Sequence, residues 1–238
     1  MRLLSVGLGI LLSALWMHAG AAATLRVAPT TLELIAPDSA AVLRLRNDAK
    51  RPINVQIRVF RWMQSNGADR FEATDMVVAS PPATQLAPGM DYTVRVVRTA
   101  RRPVTGEESY RVVVDELPDP GRRRAGTVSL VVRHVIPVFF RAADAPGPRV
   151  SWNLARSGGR LVLVARNTGS SRLRISDVLL RAGGGVVRRE SGLLGYVLGG
   201  ATMQWPLGAA AGLGGGPVTM TVQTHLGPIE ATLPIRGR

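Results

Sequence analysis

From Ile53 to Val59 apolar and polar side chains alternate without a break: Ile-Asn-Val-Gln-Ile-Arg-Val. Successive side chains of a strand point to opposite faces, so such a run buries one face and leaves the other wet. Shorter versions recur at Val42 to Arg46, where Leu43 and Leu45 oppose Arg44 and Arg46, at Tyr92 to Val96, and at Tyr110 to Val114. Turn formers separate these runs: Asn47-Asp48, Ser65-Asn66-Gly67, Ser80-Pro81-Pro82 and Pro88-Gly89. Short half-buried strands punctuated in this way predict antiparallel sandwiches, an all-β fold. Outside the first residues no stretch of ordinary helix length carries a helical apolar stripe.

Those first residues read differently. Met1-Arg2 gives a positive start, Leu3 to Met17 is almost wholly apolar, and Ala19-Gly20-Ala21-Ala22-Ala23 offers small-residue cleavage sites after Ala21 or Ala23. Together they predict a cleavable secretory signal peptide over residues 1–23. The apolar run falls short of the roughly 20 residues that a spanning helix requires. No later segment is long and apolar enough to span, so the sequence predicts a mature chain without a membrane span. The remaining length suits two sandwich domains of about 100 residues each. The chain has no cysteine. An exported protein of this kind forgoes disulfides and relies on packed cores, and thiol catalysis and thiolate metal sites are excluded.

A polar, proline-rich stretch, Leu117 to Arg124, interrupts the strand pattern, and Thr127 to Arg141 follows as the longest apolar β segment, broken by Pro137. It ends at Asp144 to Pro148, which reads as a linker. The expected organisation is therefore a first domain over 24–143, a linker over 144–148 and a second domain over 149–238. In the second domain, strand signals occur at Leu161 to Ala165, Leu173 to Leu180, Met203 to Leu207, Val218 to Thr224 and Ile229 to Leu233, with glycine clusters as loops.

A net charge of +14 raises nucleic-acid binding as a possibility. The charge is almost all arginine, however, with Lys50 the single lysine, and it is spread along the chain without an aromatic-interleaved patch. Export also removes the protein from nucleic acid. The reading is solubility or acidic protein partners, with no nucleic-acid partner.

Several segments in order resemble the periplasmic chaperones of the chaperone–usher pilus pathway, the PapD-like family. They are Val27-Ala28-Pro29 with Leu32 and Leu34, Leu45-Arg46-Asn47-Asp48, Ile57 to Trp62, Val77 to Pro82, Leu86 to Gly89, Tyr110 to Pro118, Leu130 to Arg141, Ala165 to Gly169 and Trp205-Pro206-Leu207. The Arg-Val-Phe-Arg-Trp run ending at Trp62 is similar to the archaic branch that serves spore-coat-U-type pili. The resemblance implies two immunoglobulin-like sandwiches set at an angle. It also implies a first domain that lends its last strand to a pilus subunit lacking one, and hand-over to an outer-membrane usher. In such strand addition, main-chain hydrogen bonds supply affinity and alternate side chains supply register.

Val128, Leu130, Val132 and Ile136 fall on one face of the segment after Gly126, with His134 between the last two, and are the candidate donor row. Burying each is worth roughly 1.5–3 kcal/mol, part of which association entropy consumes. By residue pattern alone they read as first-domain core, and it is the resemblance that implies the donor role. Many family members grip the subunit's C-terminal carboxylate with a basic pair, and those positions here carry Thr31 and Pro137. Arg111 is the candidate replacement anchor, its planar fork suiting a carboxylate, against the plainer reading of a solvated strand arginine. Arg95, Arg98 and Arg133 are weaker candidates. The family's interdomain ion pairing implies Glu116 and Arg141 as the contact here, with His225 standing where an acid is expected.

An enzyme lacks support. Only His134 and His225 follow the signal segment, no G-x-S-x-G or H-E-x-x-H occurs, and Asp69, Glu72 and Asp75 read as loop-surface acids. No catalytic residue, metal site or cofactor is implied. The rival class is an exported tandem-sandwich adhesin or structural pilus component. Such a protein calls for a self-complementing extension before its first strand, and here that strand starts almost at the cleavage site.

Overall fold

A computed structural model describes residues 25–118, 131–209 and 216–236. The signal segment and the donor positions Val128 and Leu130 lie outside the described residues. In chain order the first ten strands are β1 (Leu25–Ala28), β2 (Leu32–Ile35), β3 (Ala40–Asn47), β4 (Ile53–Ser65), β5 (Ala68–Ala73), β6 (Val77–Ser80), β7 (Ala83–Leu86), β8 (Asp91–Arg98), β9 (Glu107–Leu117) and β10 (Arg133–Arg141). They form two facing sheets, ordered β1-β3-β8-β6 and β2-β10-β9-β4-β5, with β7 also pairing β4. A second sandwich follows, built from β11 (Val150–Ser157), β12 (Arg160–Asn167), β13 (Leu173–Ala182), β14 (Gly185–Val197), β15 (Thr202–Ala209), β16 (Val218–Thr224), β17 (Gly227–Leu233) and β18 (Ile235–Arg236). Its sheets are ordered β15-β12-β11-β18 and β14-β13-β16-β17. The described residues contain no helix, and therefore none long and apolar enough to cross a membrane.

The alternation read from sequence decides which faces pack. Ile53, Val55 and Ile57 of β4, Leu43 and Leu45 of β3, and Tyr110, Val112 and Val114 of β9 all point into one core between the first two sheets. The second core gathers Leu161, Leu163 and Ala165 of β12 with Ile175, Val178 and Leu180 of β13 and Val218, Met220 and Val222 of β16. Each sandwich also pins a strand end with a buried asparagine. Asn47 Nδ2 donates to the carbonyls of Arg51 and Leu86 at 2.7 and 2.9 Å, and Asn167 Nδ2 donates to those of Ser171 and Val197 at 2.8 and 3.3 Å. Both carbonyl-capping side chains spare main-chain groups a loss of hydrogen bonding that burial makes costly.

Two segments depart from the sequence reading. Asp69 and Glu72, expected on a loop, lie in β5, whose six residues are all exposed and so carry no alternation. The long apolar segment enters the sheet, within the described residues, only at Arg133.

The β4–β5 hairpin turns on Asn66 and Gly67, both at positive φ (54° and 76°), the backbone that an Asn-Gly turn supplies most readily. Its tip reaches the second sandwich. Gly67 carbonyl accepts from Gln204 N at 3.3 Å, and a Cβ on Gly67 would stand 2.9 Å from Gln204 Cγ.

Candidate functional site

The outward face of the β2-β10-β9-β4-β5 sheet departs from the usual wet face of a sandwich. Trp62 of β4 and Phe139 of β10 point away from the first core, yet both are buried. They meet Tyr196 and Leu198, from the end of β14 and just beyond, in a separate apolar cluster between the sandwiches. Trp62 and Tyr196 meet edge-on with centroids 5.4 Å apart, and Phe139 lies 5.8 Å from each ring. Hydrogen bonds lock the contact: Gln64 Nε2 donates to Tyr196 O at 2.9 Å, and Leu198 N donates to Gln64 Oε1 at 2.8 Å. Asp69 Oδ1 accepts from Trp62 Nε1 and from Gln64 Nε2, each at 2.9 Å.

Two arginines stack on this cluster. Arg172, at the second sandwich's edge, has its Cζ 3.5 Å from the Phe139 centroid. It forms ion pairs with the buried Glu107 and the exposed Glu33 of the first sandwich, and its N–H donates to Glu107 Oε1 at 2.9 Å. These pairs, not Glu116 and Arg141, bridge the sandwiches. Glu116 sits opposite Val132, whose carbonyl accepts from Glu116 N at 2.9 Å, while Arg141 registers with Glu107 at the other end of the β9–β10 pair. At about 3.3 Å per residue, roughly 30 Å of strand separates the two. His225 does lie near this network: its Nδ1 accepts from Arg174 N at 3.2 Å. Burial pushes its pKa down, as do Arg172 and Arg174, with Glu33 opposing.

Arg111 is the second arginine. It leaves β9 on the outward face, opposite Pro137 in register, and its Cζ lies 3.6 Å from the Trp62 centroid and 5.6 Å from that of Tyr196. Among the described residues it makes no ion pair, and its buried Nε has no hydrogen-bond partner. Burial pushes its pKa down, with Asp69 and Tyr196 opposing. The guanidinium lines a cleft of about 510 Å³ between the sandwiches, shared with Thr30, Thr31, Asp69, Pro137, Tyr196 and Trp205. Thr31 and Pro137, the positions at which the resemblance places the family's basic pair, thus line the same space that Arg111 enters from the neighbouring strand.

The weaker candidates are otherwise engaged or placed. Arg98 and Glu108 form a buried pair, Nε to Oε2 at 2.9 Å, joined by Tyr110 Oη. Arg133 is paired with Asp115, which also holds Arg58 at 2.6 Å. Arg95 is exposed on β8 of the other sheet.

The donor positions divide. Ile136 is buried in the first core with Val138 and Phe140, and Val132 is half-buried where β9 ends. His134, of the same parity, bonds through Nε2 to Leu25 O at 2.9 Å, so it is a hydrogen-bonded packing residue. The edge of β10 is half open: β2 pairs with it only over Val138–Arg141, leaving Arg133–Pro137 without a second strand partner among the described residues. On the outward face Val135 stays exposed, beside Phe60 and Phe71 in a shallow groove that Arg111 also lines. Sequence reasoning missed the Trp62–Phe139–Tyr196 cluster and Arg172. The available signal was parity, since Phe60 and Trp62 continue the polar side of the β4 alternation. No group of His, Asp or Glu among the described residues is arranged to hold a metal ion.

The half-open edge of β10 thus runs into a cleft lined by Arg111, which has no ion pair among the described residues. Residues 24–145 match the family model for pili and flagellar-assembly chaperones, PapD N-terminal domain. The chain belongs to that family of pilus-assembly chaperones. No curated protein matches it. Among solved structures it is similar to the chain in the CsuC–CsuE chaperone–tip adhesion subunit pre-assembly complex, from archaic chaperone–usher Csu pili of Acinetobacter baumannii. That match has 22% identity and a TM-score of 0.68, covering 90% of this chain and 100% of that one. It is also similar to the Salmonella enterica SafA pilin–SafB chaperone complex (20% identity, TM-score 0.62, 90% and 99% covered). The E. coli chaperone DraB matches at 24% identity and TM-score 0.59, with 88% and 96% covered. These likenesses establish the fold: two immunoglobulin-like sandwiches.

Proposed function

We propose that this chain is a periplasmic chaperone that holds pilus subunits by strand donation and passes them to an outer-membrane usher. In this reading residues 24–143 form the subunit-binding domain, 144–148 the linker and 149–238 the second domain. The observation that carries it is the edge of β10, open over Arg133–Pro137 and leading straight to the cleft that Arg111 lines. An open edge offers unpaired main-chain donors and acceptors to an incoming strand. The client strand pairs along that edge and ends in the cleft, where its terminal carboxylate meets the Arg111 guanidinium. Val128, Leu130 and Val132 supply the side chains that enter the client's groove, and Ile136 closes the chaperone's own core behind them.

Support comes from two directions. A carboxylate provides what the Arg111 fork lacks, because charged hydrogen bonds of this type are about twice as strong as neutral ones. The similar CsuC and SafB are described in complexes with a tip adhesion subunit and a pilin. Signal-directed export supplies the compartment, and the energy of assembly comes from the client's own completion of folding, with no cofactor.

Co-purification tests the reading. The mature chain, tagged at its C-terminus and expressed with pilus-type subunits, should recover one small β-rich subunit per chaperone. Leu130→Asp and Val132→Asp should lose the subunit while the chaperone remains folded. Recovery of a clean monomer with no subunit would move the assignment to a tandem-sandwich adhesin or structural component.

A further inference from the structure

Arg111 has no hydrogen bond within the described residues, yet its guanidinium has a defined seat. An arginine on a strand face ordinarily samples many rotamers, and a carboxylate site gains most when that freedom is removed before binding. Here the restriction comes from rings. The Arg111 Cζ lies over the Trp62 ring, 3.6 Å from its centroid, and 5.6 Å from that of Tyr196. Trp62 belongs to the same sheet as Arg111, and Asp69 holds its indole N–H. Tyr196 belongs to the second sandwich and is kept in place by the paired bonds between Gln64 and the main chain of Tyr196 and Leu198.

Building on the carboxylate reading above, we infer that the site is composite: docking of the second sandwich, through Tyr196, completes the seat of Arg111 and thereby sets carboxylate affinity. Tyr196 is a positioning residue, acting through Arg111. Linkage makes the coupling reciprocal, so a carboxylate bound at Arg111 tightens the docking of the two sandwiches by the same factor. A client whose C-terminus is wrongly placed would then forgo both the ion pair and the tightening.

The Arg111 side-chain Nε–H resonance reads this directly in the full mature chain, with Arg111→Lys identifying the signal. Sodium acetate serves as the minimal carboxylate probe, and sodium chloride controls for ionic strength. In the wild type the signal should move saturably with acetate and stay put with chloride. Tyr196→Phe keeps the ring and should retain the response. Tyr196→Leu and, independently, Gln64→Ala should raise the acetate concentration for half-saturation by at least about fivefold, the lower end of typical coupling between sites. An undiminished response in both variants overturns the composite site while leaving the carboxylate reading intact. A wild-type signal indifferent to acetate overturns the carboxylate reading, and this inference with it.

Discussion

Arg111 and Arg172 sit at two ends of one aromatic cluster and began as the same physical problem, a guanidinium drawn out of water onto a ring. The charge of Arg172 is answered from within the chain: buried Glu107 and exposed Glu33 pair with it, and its main-chain N–H adds a further bond to Glu107, although its buried Nε lacks a hydrogen-bond partner as that of Arg111 does. Arg111 is left without a carboxylate, and Asp69 is engaged by Trp62 and Gln64. A buried cation paired within the chain is architecture, whereas a stacked cation facing a cleft without an anion supports the carboxylate reading proposed above. Both charges rest on rings of the one cluster that joins the sandwiches, Arg172 on Phe139 and Arg111 on Trp62 and Tyr196.

Removing the satisfied charge should do the greater structural harm. Arg172→Ala leaves Glu107 buried and unpaired, and breaking a buried pair from one side costs about 3–5 kcal/mol. Urea unfolding should show that loss, and Arg172→Lys, which cannot reproduce the two-acid fork, should recover only part of it. A loss below about 1 kcal/mol, the scale of surface pairs, would erase the distinction between the arginines.

Arg111→Met should show the inverse pattern. Stacking on Trp62 contributes about 0.5–2 kcal/mol, while relieving a buried unsatisfied N–H returns about 1–3 kcal/mol. The two nearly cancel, so stability should stay within about 1 kcal/mol of the parent. Client capture, in contrast, should fall roughly ten- to a hundredfold, the equivalent of a charged hydrogen bond worth about 1.5–3 kcal/mol. Titration of a purified subunit against parent and variant measures it, and equal affinities would return Arg111 to the role of a packing residue.

Much of this frame is legible in the sequence, and the reason is burial on one face only. Strands β3, β4 and β8 put Leu43, Ile57 and Val94 into the core while their neighbours meet water, and that asymmetry writes the alternation. Strand β14 buries only its last two residues, Tyr196 and Val197, so it writes none. The pairing register also shifts where β14 meets β13, around Ile175 to Val178. The pairing of Arg172 with Glu107 joins residues 65 apart, and no local pattern announces a contact between two domains. Assigning it to Glu116 and Arg141 failed because those residues share the right strands but lie at opposite ends. Arg111 was visible as the outward residue of Tyr110 to Val114, but solvated and stacked arginines have the same alternation. Only Trp62 and Tyr196 distinguish them.

Asp69 offers a finer adjustment of the same contrast. Its charge partly offsets the missing anion at Arg111, so it competes with an incoming carboxylate. Asp69→Asn keeps an oxygen to accept from Trp62 and removes the competing charge, and carboxylate affinity should rise by a few fold, the scale of about 0.5–1 kcal/mol for a partly screened charge. Isothermal titration with the subunit reports the change, and weaker binding would mean that Asp69 acts chiefly by holding the indole.

The smallest expected effect separates the two ends by pH. His225 is exposed at its surface, and partial desolvation together with Arg172 and Arg174 pushes its pKa below the ordinary value, against the pull of Glu33. A histidine whose folded pKa is depressed binds its proton later than in the unfolded chain. Its share of stability is therefore complete above the ordinary imidazole range, near pH 6.5, and is lost as pH falls below it. Protonation adds a positive charge beside Arg172, so acidification should loosen the Arg172 end of the contact. The described groups around Arg111 include no histidine, and its end should be indifferent over the same window. Between about pH 7 and 5.5 the parent should lose a little stability that His225→Asn does not lose, measured as paired urea midpoints at each pH. Acetate response at Arg111, followed across that window, should drift only as far as Tyr196 does, because the two arginines communicate through the rings between them and not through shared charge.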